Sequence, residues 1–178
     1  MNNNVLVLYG SPHKNGSTQK LLDSFLKTIS CDKINIINAY EKSAHPCIDC
    51  KHCVKETNCV FNDLDDYHDF LKSANILIIA SPVYNRSLPS PLKSILDRMQ
   101  RYYSEKILLK LKNNYQSKKA FILLSQGSDD ESIEKEIISQ ISPNLKLINT
   151  KSINVFTLKN TDESPSFNTL LYEEDILK

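Results

Sequence analysis

Net charge is almost absent from this sequence. Its 178 residues include 22 Lys and Arg against 21 Asp and Glu, which gives a formal charge of +1 at pH 7. Residues of opposite charge are interspersed along the chain, so no basic stretch stands out that would attract nucleic acid or an anionic membrane surface. We therefore expect neither nucleic acid nor a membrane among the partners of this protein.

Long hydrophobic runs are missing as well. Runs such as Ile76–Ala80 are far shorter than the ~20 residues that span a bilayer, and no positively charged leader segment precedes the first apolar run at Asn4. Hydrophobic residues nevertheless make up 40% of the chain, enough for a core in a protein of this length. The sequence predicts a single domain over residues 1–178, located in the cytoplasm.

Glycine is scarce, and its positions are informative. The chain has three glycines, Gly10, Gly16 and Gly127, and each follows the predicted end of a strand or its turn. Glycine is needed where the backbone turns sharply or approaches a ligand closely. These positions indicate either a ligand site beside the strand ends or ordinary strand-to-helix turns.

Short apolar runs alternate with segments of helical periodicity. Apolar runs bounded by turns are typical of strands buried on both faces of a parallel sheet. The predicted strands are Asn4–Tyr9, Lys33–Asn38, Asn75–Ala80, Ala120–Ser125 and a fifth, bent or bulged, over Leu145–Phe156. The first predicted helix starts near Ser17 or Thr18, and the other three are marked by apolar residues over Leu64–Leu71, Leu92–Met99 and Ile133–Ile141. This alternation predicts an α/β protein with a doubly wound, five-stranded parallel sheet of the flavodoxin-like order 2-1-3-4-5.

Two segments fall outside the alternation. A Cys-rich loop over residues 45–60 separates the second strand from the second helix, in which His68 is expected at the surface. The tail, residues 159–178, carries apolar residues among acidic ones. We expect the tail to form a short packing helix or to contact a second subunit.

The loop after the first strand is rich in hydroxyl groups and runs into a helix start. The first amides of a helix lack partners and favour an anion, and the hydroxyls of Ser11, Ser17 and Thr18 add donors. The spacing matches neither a Walker A loop nor the three-glycine dinucleotide fingerprint. The loop therefore predicts a phosphate cradle, the alternative being a helix capped by Ser17 or Thr18.

The loops after the third and fourth strands are predicted at the same sheet edge. Tyr84 offers a ring face to a planar heterocycle, although a tyrosine packed on the rim of the sheet would give the same pattern. Ser125–Ser128 is positioned to close a third side of the pocket, unless it is a plain turn.

Four of the five cysteines lie within thirteen residues, as Cys47-x2-Cys50-x2-Cys53-x5-Cys59. Thiolates at such short gaps suit a 4Fe–4S cluster, whereas structural zinc prefers two separated pairs. A loop of free thiols at a subunit interface is the third interpretation. His45 precedes the motif and His52 lies within it, and each is a solvated residue, a substitute ligand or a proton relay. Cys31 is expected to be a small buried hydrophobe.

Three motifs together resemble a known family. They are Gly10-Ser-Pro-x-Lys-Asn-Gly-Ser-Thr18, the four-cysteine motif after Pro46, and Ser81-Pro-Val-Tyr with Pro89-x2-Leu-Lys-x3-Asp97-Arg98. Over about residues 4 to 128 the chain resembles the NADPH-dependent FMN reductases and iron-sulfur flavoproteins. The resemblance implies a flavodoxin-like fold, bound FMN and a homodimer.

The resemblance also implies site residues. Ser11, His13, Ser17 and Thr18 would hold the FMN phosphate, and Pro82, Val83, Tyr84 and Asn85 would line the isoalloxazine. The remaining residues of the predicted cofactor site are Asn15, Gly16, Arg86, Gln126 and Gly127. Two positions depart from the family pattern. His13 stands where arginine is common, so charge assistance at the phosphate is either pH-dependent or missing. Arg86 stands at a usual glycine position, so it either changes the shape of the loop or itself contacts the flavin or a nicotinamide phosphate.

The sequence thus predicts an FMN-dependent oxidoreductase. Electrons would pass from NAD(P)H through FMN to a small-molecule acceptor or a redox protein, with the flavin carrying the chemistry. The alternative is an iron-sulfur flavoprotein that carries electrons between proteins through FMN and a 4Fe–4S cluster on Cys47, Cys50, Cys53 and Cys59. A non-catalytic flavin- or metal-sensing module is the third class.

Overall fold

Six strands form one sheet in the order β2-β1-β3-β4-β5-β6. The computed structural model describes residues 3–112 and 114–172, with only the backbone described over residues 167–172. The strands are β1 (Asn4–Tyr9), β2 (Lys33–Asn38), β3 (Ile76–Pro82), β4 (Lys118–Ser125), β5 (Thr150–Lys159) and β6 (Ser166–Tyr172). The first five pair in parallel, and β6 pairs antiparallel with β5. The predicted parallel order 2-1-3-4-5 is confirmed, with β6 added at the β5 edge.

Helices cover both faces of the sheet. They are α1 (Ser17–Leu26), α2 (Ala39–Lys42), α3 (Asp65–Ser73), α4 (Ser90–Asp97), α5 (Gln100–Tyr103) and α6 (Ser132–Leu147), with a 3-10 turn at His52–Val54 and a π-helical turn at Ser104–Leu108. Leu21 and Leu22 of α1 pack on Val5 and Val7 on one face. Helices α3 to α6 bury their apolar stripes on the other face. Every residue of β3 is buried, which explains why it lacks an alternating pattern.

The fifth strand begins later than predicted. Residues 145–147 continue α6, because Leu145 lies four residues after Ile141 and extends the buried stripe of that helix. The strand β5 starts at Thr150. The predicted irregularity in this strand is present, since Lys118 pairs with Thr150 and Lys119 with Ser152, which leaves one extra residue in β5 as a bulge.

The tail is not a helix where the structure describes it. Residues Ser166–Tyr172 form β6, with Leu158 opposite Phe167 and Lys159 opposite Ser166. The prediction of a packing helix is therefore wrong for this segment. The rest of the predicted tail element, residues 173–178, lies outside the described residues.

Candidate functional site

The loops that follow β1, β3 and β4 meet at the carboxyl edge of the sheet, because these three strands are neighbours and parallel. Backbone hydrogen bonds join them. The Gly10 amide donates to the Ala80 carbonyl at 2.8 Å, and the Val83 amide donates to the Ser125 carbonyl at 2.9 Å. The residues predicted around one pocket are thus held side by side.

The first loop leaves the start of α1 open. Gly16 is the N-cap residue, and no side chain caps the helix, so the alternative interpretation, a helix capped by Ser17 or Thr18, is wrong. The first amides of a helix have no partner within the helix, and they favour an anion. This uncapped start is the feature that a phosphate cradle requires.

Two buried hydroxyls border this helix start. The Thr18 Oγ1 and Ser125 Oγ atoms lie 2.6 Å apart in a buried contact that joins α1 to the end of β4. The buried Ser11 Oγ accepts a hydrogen bond from the His13 amide at 3.2 Å. The side chains of His13 and Asn15 are exposed. The hydroxyls of Ser11 and Thr18 are therefore fixed before any ligand binds.

Close packing explains Gly10. A Cβ atom there would lie 2.6 Å from Leu92 Cδ2, 3.1 Å from Leu92 Cβ and 3.2 Å from Ser81 Oγ, all in buried residues. A side chain at this position would therefore displace packed core atoms. At Gly127 the nearest group is the carboxylate of the exposed Asp162, which can move aside, so packing does not require that glycine.

The loop after β3 contains a tight turn. The amide of Tyr84 donates to the Ser87 carbonyl at 2.9 Å, and the Ser87 amide donates back to the Tyr84 carbonyl at 3.0 Å. Between them, Asn85 and Arg86 have φ angles of 50° and 61°. Arg86 thus adopts the left-handed conformation that glycine favours, so the turn keeps the shape a glycine would give. Tyr84 is 41% exposed and presents its ring at the sheet edge.

The Arg86 side chain leaves this turn and reaches the other loop. Its guanidinium bonds Asp130, Ser132 and Glu136 at 2.5 to 3.1 Å. Hydrogen bonds from Ser132 and from Arg86 lower the pKa of Asp130 to about 2. The Gln126 side chain is buried and donates to the carbonyls of Ser128 and Asp130. Gln126 is thus engaged within the β4–α6 loop, and Arg86 is engaged with that loop and with the first turns of α6.

The four clustered cysteines line one cavity of about 250 Å³, between their loop and the π-helical turn. Cys47 and Cys50 are exposed, while Cys53 and Cys59 are partly buried. Cys53 Sγ lies 3.5 Å from the buried Ser104 Oγ. Among the residues that the structure describes, no three His, Cys, Asp or Glu side chains converge closely enough to hold a metal ion.

Two buried arginines hold the cysteine loop by hydrogen bonds to its backbone carbonyls. Arg98 is only 3% exposed, and its guanidinium donates to the carbonyls of His45 and Phe61, one on each side of the cysteine motif. Its Nη1 atom also pairs with Asp63 Oδ1 at 2.9 Å, and Asp63 accepts from the His45 amide at 2.8 Å. Arg101 donates to the Thr57 carbonyl at 2.5 Å. The loop is therefore shaped by arginines of the following helices.

Sequence reasoning missed these arginines. In the sequence analysis Arg98 is named only as the last residue of a family motif, and Arg101 is not named. Their position in the sequence was the available signal, because Arg98 and Arg101 adjoin Met99 and Tyr102, two buried residues that follow α4. A cation beside a buried stripe indicates carbonyl or carboxylate partners.

His68 is buried, not at the surface as predicted. It is 3% exposed, and its Nδ1 atom hydrogen-bonds the Tyr102 hydroxyl. Burial, helped by the charges of Arg101 and Arg98, lowers the pKa of His68 to about 3. The residue is therefore neutral at physiological pH.

Comparison with known proteins identifies the family. A family model described as NADPH-dependent FMN reductase matches residues 3–149. The chain belongs to this family. It is 33% identical over 97 residues to an iron-sulfur flavoprotein of Methanocaldococcus jannaschii and 35% identical over 100 residues to one of Clostridioides difficile. Each match covers 53% of this chain; it covers 50% of the Methanocaldococcus jannaschii protein and 44% of the Clostridioides difficile protein. The chain thus spans about half the length of the curated relatives it matches.

A solved structure gives the same fold. The NAD(P)H:quinone oxidoreductase from Methanothermobacter marburgensis superposes with a TM-score of 0.69, covering 90% of this chain and 85% of that one at 15% identity. The predicted family resemblance and the flavodoxin-like sheet are thus confirmed, and the family description names FMN, as the cofactor prediction does. In the described part of the chain, none of the helices has the length and apolar character to cross a membrane.

Proposed function

We propose that this protein binds FMN at the carboxyl edge of β1, β3 and β4 and passes electrons from NAD(P)H to an acceptor. The observation that carries the proposal is the uncapped start of α1, bordered by the buried hydroxyls of Ser11 and Thr18. An anion binds there without displacing a side-chain cap. Membership in the NADPH-dependent FMN reductase family supports the FMN phosphate as this anion.

Different loops would bind the phosphate and the ring of the cofactor. The phosphate would bind the α1 amides with Ser11, Ser17 and Thr18, while His13 and Asn15 border the mouth of this loop. The ring would lie against Pro82–Asn85, with Gly127 and the loop shaped by Gln126 and Arg86 on its other side. Bound FMN supplies a ring that accepts hydride from a nicotinamide.

The chain's own groups orient the cofactor and leave access to it. Backbone amides and hydroxyls fixed by the sheet cost little reorganisation when the flavin binds. The exposed Tyr84 ring offers a stacking surface beside an open face. A flat acceptor or the exposed cofactor of a redox protein would then approach from that side.

The test is purification under anaerobic conditions followed by an absorption spectrum and a flavin assay. We expect one FMN per chain and sustained oxidation of NADH or NADPH when a quinone or dye acceptor is present. Absence of flavin from protein refolded with excess FMN would overturn the site. Bound FMN that is reduced by ferredoxin but by neither nicotinamide would favour the second candidate.

The second candidate is an electron carrier that combines FMN with a 4Fe–4S cluster. Four thiols line one cavity and offer the soft, anionic ligands that iron prefers. They would have to draw together around a cluster, because no three of them converge in the described part of the chain. The neighbouring Arg98 and Arg101 would offset the charge of a thiolate-ligated cluster. Cys47, Cys50, Cys53 and Cys59 would be the ligands. The relatives named iron-sulfur flavoproteins support the same assignment.

Replacement of Cys50 by Ser tests the cluster. A hydroxyl is a harder and poorly deprotonated ligand, so anaerobically reconstituted Cys50→Ser should lose iron and acid-labile sulfide and retain FMN. Cys31→Ser is the matched control, because Cys31 lies outside the loop. Equal iron in Cys50→Ser and parent would remove Cys50 as a ligand. Iron absent from both proteins would leave free thiols as the interpretation.

A further inference from the structure

The turn between Tyr84 and Ser87 carries an arginine where its backbone favours glycine. Both central residues, Asn85 and Arg86, are left-handed, which defines a two-residue turn of the type that prefers Asn-Gly. Asn85 meets this preference. Arg86 does not, because a Cβ atom in the left-handed region meets steric resistance.

Contacts across the sheet edge compensate for this conformation. The Arg86 guanidinium donates to Asp130 Oδ2 at 2.5 Å, to Ser132 Oγ at 2.6 Å and to Glu136 Oε1 and Oε2 at 2.6 and 3.1 Å. Ser132 and Glu136 lie one turn apart on α6. The planar fork of arginine can bond both carboxylates and the hydroxyl at once, which a lysine cannot do.

The far side of this bridge is itself anchored. Asp130 Oδ1 accepts from the amide and the hydroxyl of Ser132, at 2.9 and 2.7 Å. The carbonyl of Asp130 accepts from the buried Gln126 side chain at 3.2 Å. Arg86 therefore connects an exposed turn to a loop that is fixed to the end of β4.

We propose that Arg86 is a positioning residue that ties the Tyr84 turn to the start of α6 and so sets the width of the flavin pocket between them. This inference rests on the proposed flavin site. Two carboxylates already outweigh the single charge of the guanidinium, so Arg86 does not serve as a ligand for the phosphate of FMN or of a nicotinamide. The turn and the loop before α6 are thus already ordered before the flavin ring binds between them.

The experiment compares Arg86→Gly, Arg86→Lys, Glu136→Gln and the double variant Arg86→Gly/Glu136→Gln. Glycine suits the left-handed backbone, so Arg86→Gly removes the bridge without straining the turn. Lys93→Ala is the matched control, since it deletes an exposed ion pair with Asp97 on α4, outside the turn. The readouts are hydrogen exchange of the Tyr84 and Ser87 amides in flavin-free protein, the FMN dissociation rate and the melting temperature.

We expect both Arg86→Gly and Glu136→Gln to speed amide exchange and FMN release. The increase should be about fivefold for Arg86→Gly, a modest effect because the network is half exposed. The double variant should release FMN no faster than Arg86→Gly. The FMN release rate of Arg86→Lys should lie between those of Arg86→Gly and the parent, and that of Lys93→Ala should equal the parent's. The melting temperature of Arg86→Gly should stay within a few degrees of the parent's.

Other outcomes overturn the proposal in distinct ways. Unchanged amide exchange in Arg86→Gly would show that the bridge does not hold the turn, whether or not flavin binds. Faster FMN release in Arg86→Gly with no effect of Glu136→Gln, and additive effects in the double variant, would make Arg86 a direct ligand. A parent protein that binds no FMN would refute the proposed function, while amide exchange would still decide whether the bridge holds the turn.

Discussion

The hydroxyl of Thr18 shows how a single residue can serve both the fold and the ligand. Its Oγ1 lies 2.6 Å from Ser125 Oγ in a buried contact, at the start of a helix with no side-chain cap. A hydroxyl has one donor hydrogen and two acceptor lone pairs. Thr18 can therefore accept from Ser125 and still donate to an anion at the helix start.

Thr18→Val is expected to weaken FMN binding. Loss of a donor to a buried phosphate costs about 1.5 to 3 kcal/mol, or about tenfold to a hundredfold in Kd. Ser125→Ala is the control, because it removes the partner of Thr18 and leaves the donor to the phosphate. Fluorescence titration with FMN should rank the affinities as parent, Ser125→Ala, Thr18→Val, from tightest to weakest. Equal affinity in Thr18→Val and parent would contradict the cradle.

His68 makes stability depend on pH. Its pKa of about 3 in the folded protein lies below the ordinary value of about 6.5, so the unfolded chain binds a proton between these values and the folded one does not. The contribution of His68 to the free energy of unfolding is thus complete above about pH 6.5. It decreases as the pH falls toward 3, by up to about 1.4 kcal/mol per unit.

Urea unfolding at several pH values tests this against His68→Gln. The variant cannot take up the proton, so its stability should fall less steeply than the parent's between about pH 6 and 4. Carboxylates titrate in both proteins, and their effect cancels in the difference. Parallel curves for parent and His68→Gln would show that His68 is not held neutral.

At the scale of elements, the sequence predicted what local patterns determine. β1 and β2 have the predicted bounds, because β1 is a continuous apolar run that ends before Gly10 and β2 is rich in isoleucine, a residue that favours strands. The boundary between α6 and β5 was wrong, because Leu145 fits a helical stripe and a strand equally well, and only packing on the sheet decides. The partners of Arg98, such as His45, lie far away in sequence, so no local pattern predicts the clamp on the cysteine loop.

Arg98→Met is expected to loosen that loop and destabilise the protein. The Arg98 side chain is 1% exposed and that of Asp63 is 20% exposed, so the loss should be about 2 to 4 kcal/mol, somewhat below the cost of breaking a fully buried pair. Urea unfolding measures this loss in the free energy of unfolding. In limited digestion, trypsin should also cleave the variant faster than the parent after Lys51 or Lys55. Lys42→Met is the control, because its exposed pair with Asp66 should contribute less than about 1 kcal/mol. Equal losses in both variants would refute the clamp.

At the scale of the molecule, the order of the sheet determines which loops can meet. The loop that carries the cysteines follows β2, the outermost strand at one end of the sheet, and emerges at the same carboxyl edge as the proposed flavin loops. The cysteine loop therefore lies at the periphery, where a second subunit can reach it. Large apolar side chains around its cavity are exposed, namely Ile48, Val60, Tyr103 and Leu108.

Exposed apolar patches of this kind are typical of protein interfaces, and we expect a homodimer that covers this one. Sedimentation equilibrium should give twice the monomer mass of 20.3 kDa at micromolar concentration. Leu108→Glu places a charge in the patch and should shift the protein toward monomer, with FMN still bound. Ile36→Glu is the control, because Ile36 is also exposed but lies on β2, away from the cavity, and should leave the dimer intact. A parent that is monomeric with FMN bound would contradict the dimer, and dissociation by Ile36→Glu alone would move the interface to the β2 edge.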